Sequence, residues 1–230
     1  MKKDSMDGIQ FIRTADGSNT LFHAGAGEYY HSMHGAVQES RHVFIESGLK
    51  YRQQQTGSAL VSVLEIGFGT GLNFLLSAEY CQDNQILLQY SGIEPFPLSW
   101  EQIVKSGYQH YVSREIWDLF CKNYEDAIQK KVSVSPYIGW EIIHRKALDF
   151  ETNAKFDVIY FDAFSEKSQP EMWTIQTLDH ICRHLAENGV LVTYAVNGNL
   201  KRNLQSLGIR WEKIPGASGK REMLRATKSS

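Results

Sequence analysis

The sequence predicts an α/β fold: a mostly parallel sheet, one strand antiparallel, with helices on both faces and a nucleotide-type ligand at one edge. Three observations point there. An aliphatic, β-branched run over 61–66 stops at a glycine cluster, Gly67-Phe68-Gly69-Thr70-Gly71, and an apolar helical pattern begins directly after it. Apolar strand-like runs then alternate with helical patterns to the end of the chain. Finally, Glu94 closes the next strand about 20 residues beyond the glycines, where such sheets place an acid that meets ribose hydroxyls.

Composition bounds the rest. At 230 residues and 42% hydrophobic, the chain can bury one large core. We expect an N-terminal extension over 1–50 packed on one main domain over 51–230. No apolar run is long enough to span a membrane and no charged-then-apolar leader opens the chain, so a cytoplasmic protein without a membrane partner is expected. Cys81, Cys121 and Cys182 form no C-x-x-C pair and read as reduced core thiols. Charge is uneven. From residue 198 onward eight Lys/Arg stand against Glu212 and Glu222, on an otherwise acidic body. That end suits a polyanion or is a solvated tail.

In chain order, 9–13 and 20–23 flank the Asp16-Gly17 turn and predict a hairpin. The polar, aromatic segment Glu28-Tyr29-Tyr30-His31-Ser32 follows, either a functional loop or a packed surface loop. A helix over 36–49 is expected to end at Gly48. The main domain should then carry helix 72–80, strand 85–93, helix 113–129, strand 140–144 and strand 156–161. Helix 171–186, strand 189–194, helix 199–207 and strands at 209–214 and 221–226 complete it. Strand 156–161 is apolar throughout and should be buried on both faces.

The glycines at 67, 69 and 71 are spaced E-x-G-x-G-x-G from Glu65, one residue shorter at the third glycine than a dinucleotide fingerprint. They let a ligand lie on bare main chain. Asp162, at the carboxyl end of strand 156–161, falls beside them by topology. It is a candidate to hold and deprotonate an amine acceptor, or else caps the following loop. His31, His34 and His42 with Glu28 and Glu39 fit no zinc spacing, and His180 and His184 lack the Glu of H-E-x-x-H, so no metal is expected.

The acidic-led glycine motif resembles the first motif of class I S-adenosylmethionine (SAM) methyltransferases, whose Rossmann-like sheet matches the predicted one. A wider set of motifs resembles one family. It comprises Gly27-Glu28-Tyr29-Tyr30-His31-Ser32, Gln38-Glu39-Ser40, Glu65 to Phe74, Gly92-Ile93-Glu94-Pro95-Phe96, Asp162-Ala163-Phe164, Gln169-Pro170-Glu171-Met172-Trp173 and Gly219-Lys220-Arg221-Glu222-Met223. These are similar to the bacterial tRNA (5-methylaminomethyl-2-thiouridine) methyltransferases, either stand-alone or half of a bifunctional enzyme.

The resemblance implies SAM-dependent N-methylation of the aminomethyl group on a wobble uridine, with the tRNA anticodon region as partner. It implies that Glu65, Gly67, Gly69, Gly71, Asn73, Glu94 and Pro95 serve the cofactor and that Asp162 lies beside the reacting amine. Tyr30, His31, Ser32 and Phe164 would line the acceptor side, and Lys220 and Arg221 would face tRNA. Arg145-Lys146-Ala147 departs from the Gly-Asp that often meets the adenine, leaving backbone groups or Asp149 for that contact. A second glycine fingerprint is lacking, so no FAD is expected. A small-molecule amine methyltransferase, an aminopropyltransferase and a non-catalytic SAM-fold binding protein are the alternatives. Oligomeric state is not legible.

Overall fold

The computed structural model describes residues 9–217 and 219–229. The first strands, β1 (Ile9–Arg13), β2 (Asn19–His23) and β3 (Glu28–Tyr29), form a small antiparallel sheet in the order β1-β2-β3. The expected hairpin is there, pairing Ile9 with His23 and Arg13 with Asn19. Its turn is held by Asp16, which accepts the Ser18 N–H at 3.0 Å. The same carboxylate accepts the Gln38 N–H at 3.0 Å and so tethers the start of the next helix. The third strand, β3, was not expected, and it aims the following Tyr30 and His31 at the main sheet.

That helix runs without a break over 36–56, and its middle, Arg41–Lys50, is wound as a π-helix. Gly48 therefore does not end it. A β carbon at Gly48 would stand 2.9 Å from Val192 Cγ2 and 3.3 Å from Tyr160 Cε1, so the glycine lets the helix lie close on the sheet. The stop is Gly57, left-handed at φ 62°, whose N–H donates to Gln53 O.

The later strands are β4 (Leu60–Ile66), β5 (Leu87–Ile93), β6 (Val132–Ser133), β7 (Ile138–Ile143), β8 (Phe156–Phe161), β9 (Leu185–Thr193), β10 (Ile209–Pro215) and β11 (Glu222–Lys228). Among the described residues they form one eight-stranded sheet in the order β10-β11-β9-β8-β4-β5-β7-β6. The strands β7, β5, β4, β8 and β9 are parallel. β11 is the expected antiparallel strand, and two-residue β6 is a second. Ser218, in the segment joining β10 to β11, lies outside the described residues, as do residues 1–8.

Side chains alternate across β4 as the pleat requires. Val61 and Val63 enter the core under the helices 36–56, Leu72–Asp83 and Arg114–Gln129, while Leu64 and Ile66 enter the core under Ile175–Cys182 and Gly198–Ser206. Val158, Ile159, Tyr160 and Phe161 of β8 are all 0% exposed, as its apolar run demands.

Two other expectations change. The expected helix 171–186 is a short 3-10 turn, Pro170–Trp173, followed by Ile175–Cys182. Thr174 is extended and caps the second piece by accepting the Thr177 N–H, which interrupts the helix. Leu185 keeps helical spacing in the sequence yet begins β9, which shifts register between Phe156 and Val158 of its partner. A helix at Trp100–Lys105 was not anticipated, although Ser99 and Gln102 form a reciprocal capping box that announces it. Among the described residues no helix is long and apolar enough to cross a membrane.

Gly48→Val should lower stability by about 2 kcal/mol through overpacking against Val192 and Tyr160. Urea unfolding checks this: the midpoint falls while the slope stays unchanged.

Candidate functional site

The chain runs from β4 outward to β5 and β7, then returns to the other side of β4 for β8 and β9, so strand order reverses between β4 and β8. Their carboxyl ends lie side by side there, and the Asp162 N–H donates to Ile66 O at 3.0 Å. A cavity of about 750 Å³ opens on this point, within the ~300–1,000 Å³ usual for small-ligand sites.

The glycine loop forms one wall. Gly67 sits at φ 89°, and a β carbon on it would meet Asp162 O at 2.6 Å. At Gly69, φ 52°, it would meet Tyr30 Cδ1 at 2.9 Å. Both positions need bare backbone, and both line the cavity. Gly71 is different: it starts the helix Leu72–Asp83 and packs against Phe120 and Phe68, behind the cavity wall. Glu94 also lines the cavity, and its carboxylate accepts the Gly69 and Phe96 N–H groups, each at 3.0 Å. Burial raises its pKa against the pull of those two amides. Pro95 and the exposed side chains of Phe96 and Leu148 continue this wall. Of the candidates for an adenine contact, the turn at Lys146, Ala147 and Leu148 reaches the cavity and Asp149 does not.

Asp162 faces the cavity from the end of β8. Asn73 donates to it at 2.9 Å and to Glu65 at 2.8 Å from the same amide nitrogen, and Tyr90 OH donates to the other Glu65 oxygen at 2.7 Å. Glu65 and Asn73, expected to touch a cofactor, are 0% and 1% exposed and do not line the cavity; they support Asp162 from behind. Burial, then the charge of Asp162, push the Glu65 carboxyl well above the usual range, against the hydrogen bonds from Tyr90 and Asn73. Asp162 is pushed up to about 7, by burial first and by Glu39 second, against the Asn73 bond and Lys220. Such a group is poised to exchange a proton near neutrality.

The opposite wall comes from the chain's two ends. Tyr30, His31 and Ser32 line it as expected, with Phe164. The Tyr30 and Phe164 rings meet edge to face at 5.3 Å, and His23 stands 5.7 Å from Phe164. His31 bonds Thr70 at 3.1 Å, and burial lowers its pKa to about 4, so it is a neutral structural link between this wall and the glycine loop. Lys220, expected to face tRNA, instead enters the cavity, where it pairs with Glu39 at 2.5 Å and lies 4.0 Å over the Tyr194 ring. Arg221 does stay exposed, outside the cavity. Glu39, Tyr194 and Glu28 line the site and were not singled out for it. Glu39 sat inside the Gln38-Glu39-Ser40 motif, but nothing local announces that a helical acid 6% exposed will face Asp162. Among the described residues no three His, Cys, Asp or Glu side chains group as a metal site.

A parallel sheet with a bare glycine turn, a strand-end acid and a cavity at the strand switch defines a nucleoside-binding α/β enzyme scaffold. Comparison sharpens the class. A model of a S-adenosyl-L-methionine-dependent methyltransferase family matches residues 113–229, and the chain belongs to that family. It is 31% identical over 208 residues to the tRNA 5-methylaminomethyl-2-thiouridine biosynthesis bifunctional protein MnmC of Leptospira interrogans, covering 86% of this chain and 32% of that one. It is also 31% identical over 219 residues to the protein of the same name from Paracidovorax citrulli, covering 90% and 34%. The chain thus spans about a third of the length of these relatives. The crystal structure of MNMC2 from Aquifex aeolicus superposes with a TM-score of 0.79 at 23% identity, over 97% of this chain and 71% of that one.

Because Asp162 binds its proton more tightly folded than unfolded, it favours the folded state below the unfolded carboxyl range and loses that contribution as pH rises through about 7. Asp162→Asn should therefore melt higher than the parent above pH 7, with the gain shrinking toward about pH 4. Thermal melts across pH test it; a gain independent of pH would contradict this titration.

Proposed function

We propose that this chain transfers a methyl group from SAM to the exocyclic aminomethyl nitrogen of a wobble 5-aminomethyl-2-thiouridine in tRNA, forming 5-methylaminomethyl-2-thiouridine in the cytoplasm. The observation that carries the reading is the placement of Asp162: one cavity joins it to the glycine loop on one side and to an aromatic wall on the other. The names of the MnmC relatives support the substrate.

SAM supplies, when bound, a methyl group activated on a sulfonium. The residues present fit it: bare main chain at Gly67 and Gly69, a carboxylate at Glu94 with lone pairs left for ribose hydroxyls, and the apolar Pro95, Phe96 and Leu148. Gly71, Glu65 and Asn73 act behind these. On the acceptor side, Asp162 holds the aminomethyl ammonium. A free alkyl amine titrates near ~10, so it arrives protonated and must lose a proton before its lone pair can react. Asp162, titrating near 7, accepts that proton while the in-line geometry is held. Tyr30 and Phe164 offer ring faces for an unstacked uridine. Arg221 and the neighbouring basic residues would meet tRNA phosphates, giving affinity that falls with salt.

Mass analysis of nucleosides from tRNA lacking this methyl group, after incubation with SAM, is the direct test. A gain of one methyl on the aminomethyl nucleoside supports the reading, whereas transfer to free amines alone would indicate a small-molecule methyltransferase. Asp162→Ala should keep SAM affinity within a factor of about three while kcat falls roughly a hundredfold or more. Glu94→Ala should weaken SAM binding about tenfold or more in calorimetry, the loss of a hydrogen bond to a charged group.

A further inference from the structure

The walls that meet over Asp162 come from opposite ends of the chain. Several contacts join them among the described residues, three of them at the turn between β10 and β11. Lys220 Nζ pairs with Glu39 Oε1, His42 Nε2 bonds Pro215 O at 2.7 Å, and Gly219 sits so tightly against His34 that any side chain there would strike the imidazole. Only the first of these lines the cavity. Glu39 is an acid inside the protein with two partners: Lys220 on one oxygen and the Ser32 N–H at 2.8 Å on the other. Lys220 is held in turn by the face of Tyr194, whose hydroxyl donates to Ala163 O at 2.9 Å, the residue after Asp162. Ser32, Glu39, Lys220, Tyr194 and Ala163 thus form one connected path that ends beside the reacting carboxylate. A lysine meant only for phosphate would have no reason to be drawn inward, and burying the Glu39 carboxylate against a half-buried lysine is a costly way to fasten a turn to a helix.

We propose that Glu39 and Lys220 are positioning residues of the transfer reaction: they lock the acceptor wall across the cavity and hold one negative and one positive charge at fixed places beside Asp162. This rests on the reading that Asp162 manages the acceptor amine. Glu65, Tyr90, Tyr108 and Tyr194 also interact with Asp162, and Glu28 and Glu94 line the same cavity from β3 and the end of β5. Burial pushes the Glu65 carboxyl and the three tyrosine hydroxyls upward, and His31 beside the pair is neutral. Glu39 and Lys220 are the two charged side chains that shift Asp162, with opposite sign. The pair lets one site accept a cation, through the net negative charge of two carboxylates and one ammonium, and still release a neutral amine near neutral pH.

The test uses the full chain with Glu39→Gln, Lys220→Met, the double substitution and Lys220→Arg. Carbon-13 NMR titration of the Asp162 carboxyl, assigned with Asp162→Asn, should move down in Glu39→Gln and up in Lys220→Met. Each shift should be roughly half a pH unit, about threefold in proton affinity. The double substitution should return toward the parent, and Lys220→Arg, which keeps the charge, should stay there. The acid limb of kcat/KM for tRNA methylation should move in the same directions, with SAM affinity unchanged within about twofold. Unmoved midpoints, or shifts of the same sign in both single variants, overturn the proposal, since a purely structural pair would lower rate without moving the titration. If Glu39→Gln does not fold, Lys220→Met decides alone by the presence or absence of its upward shift. If tRNA is not methylated at all, the reaction assignment falls, while the NMR titration still tells whether the pair sets the charge at Asp162.

Discussion

The contact on which this structure turns is the abutment of two strand ends. Gly67 lies so close to the Asp162 carbonyl that a single added carbon would stand 2.6 Å from it. Because the strand order reverses at that seam, nothing covers the carboxyl ends of β4 and β8 from within the sheet, and the cavity opens there. The same closeness brings the Asn73 amide within reach of both Glu65 and Asp162. A bulkier residue at 67 would part the strands, and with them the donor that orients the Asp162 carboxylate.

The layers behind Asp162 divide the work of holding it. Glu65 is sealed from water, which pushes its carboxyl upward, and it fixes Asn73 and Tyr90. Asp162 reaches the cavity, where solvent and Lys220 can support its charge. The two acids share the Asn73 amide as donor, and the difference in exposure separates their roles: Glu65 is sealed and Asp162 lines the cavity. Glu94 belongs to a different balance. Two backbone amides compensate the burial of its charge, so it holds the glycine loop as well as presenting an acceptor to the cavity.

Much of this was legible. Periodicity places β8, the helix Arg114–Gln129 and the terminal hairpin nearly residue for residue, because an apolar run or a clean amphipathic stripe admits one partner surface. The boundaries that failed did so for local reasons. Gly48 resembles a helix stop but serves packing, Thr174 caps where helical spacing continues, and Leu185 pairs as a strand despite that spacing. The candidate site was half visible. Gly67, Gly69, Glu94, Pro95, Tyr30, His31, Ser32, Phe164 and Asp162 do meet at one cavity and Lys220 turns into it, whereas Glu65, Gly71 and Asn73 stand behind it.

The sequence by itself determined the sheet, the bare turn at 67–71 and the acids at the ends of two strands, because these depend on backbone freedom and on hydrophobic period, which are properties of neighbouring residues. Family membership follows from the same local motifs. Tertiary structure alone decided which acid is sealed from water, which residues touch the cavity and what Lys220 does. Those outcomes depend on burial and on contacts across the fold, such as Glu39 with Lys220 and Ser32 with Glu39, that close only when the two ends of the chain meet over Asp162.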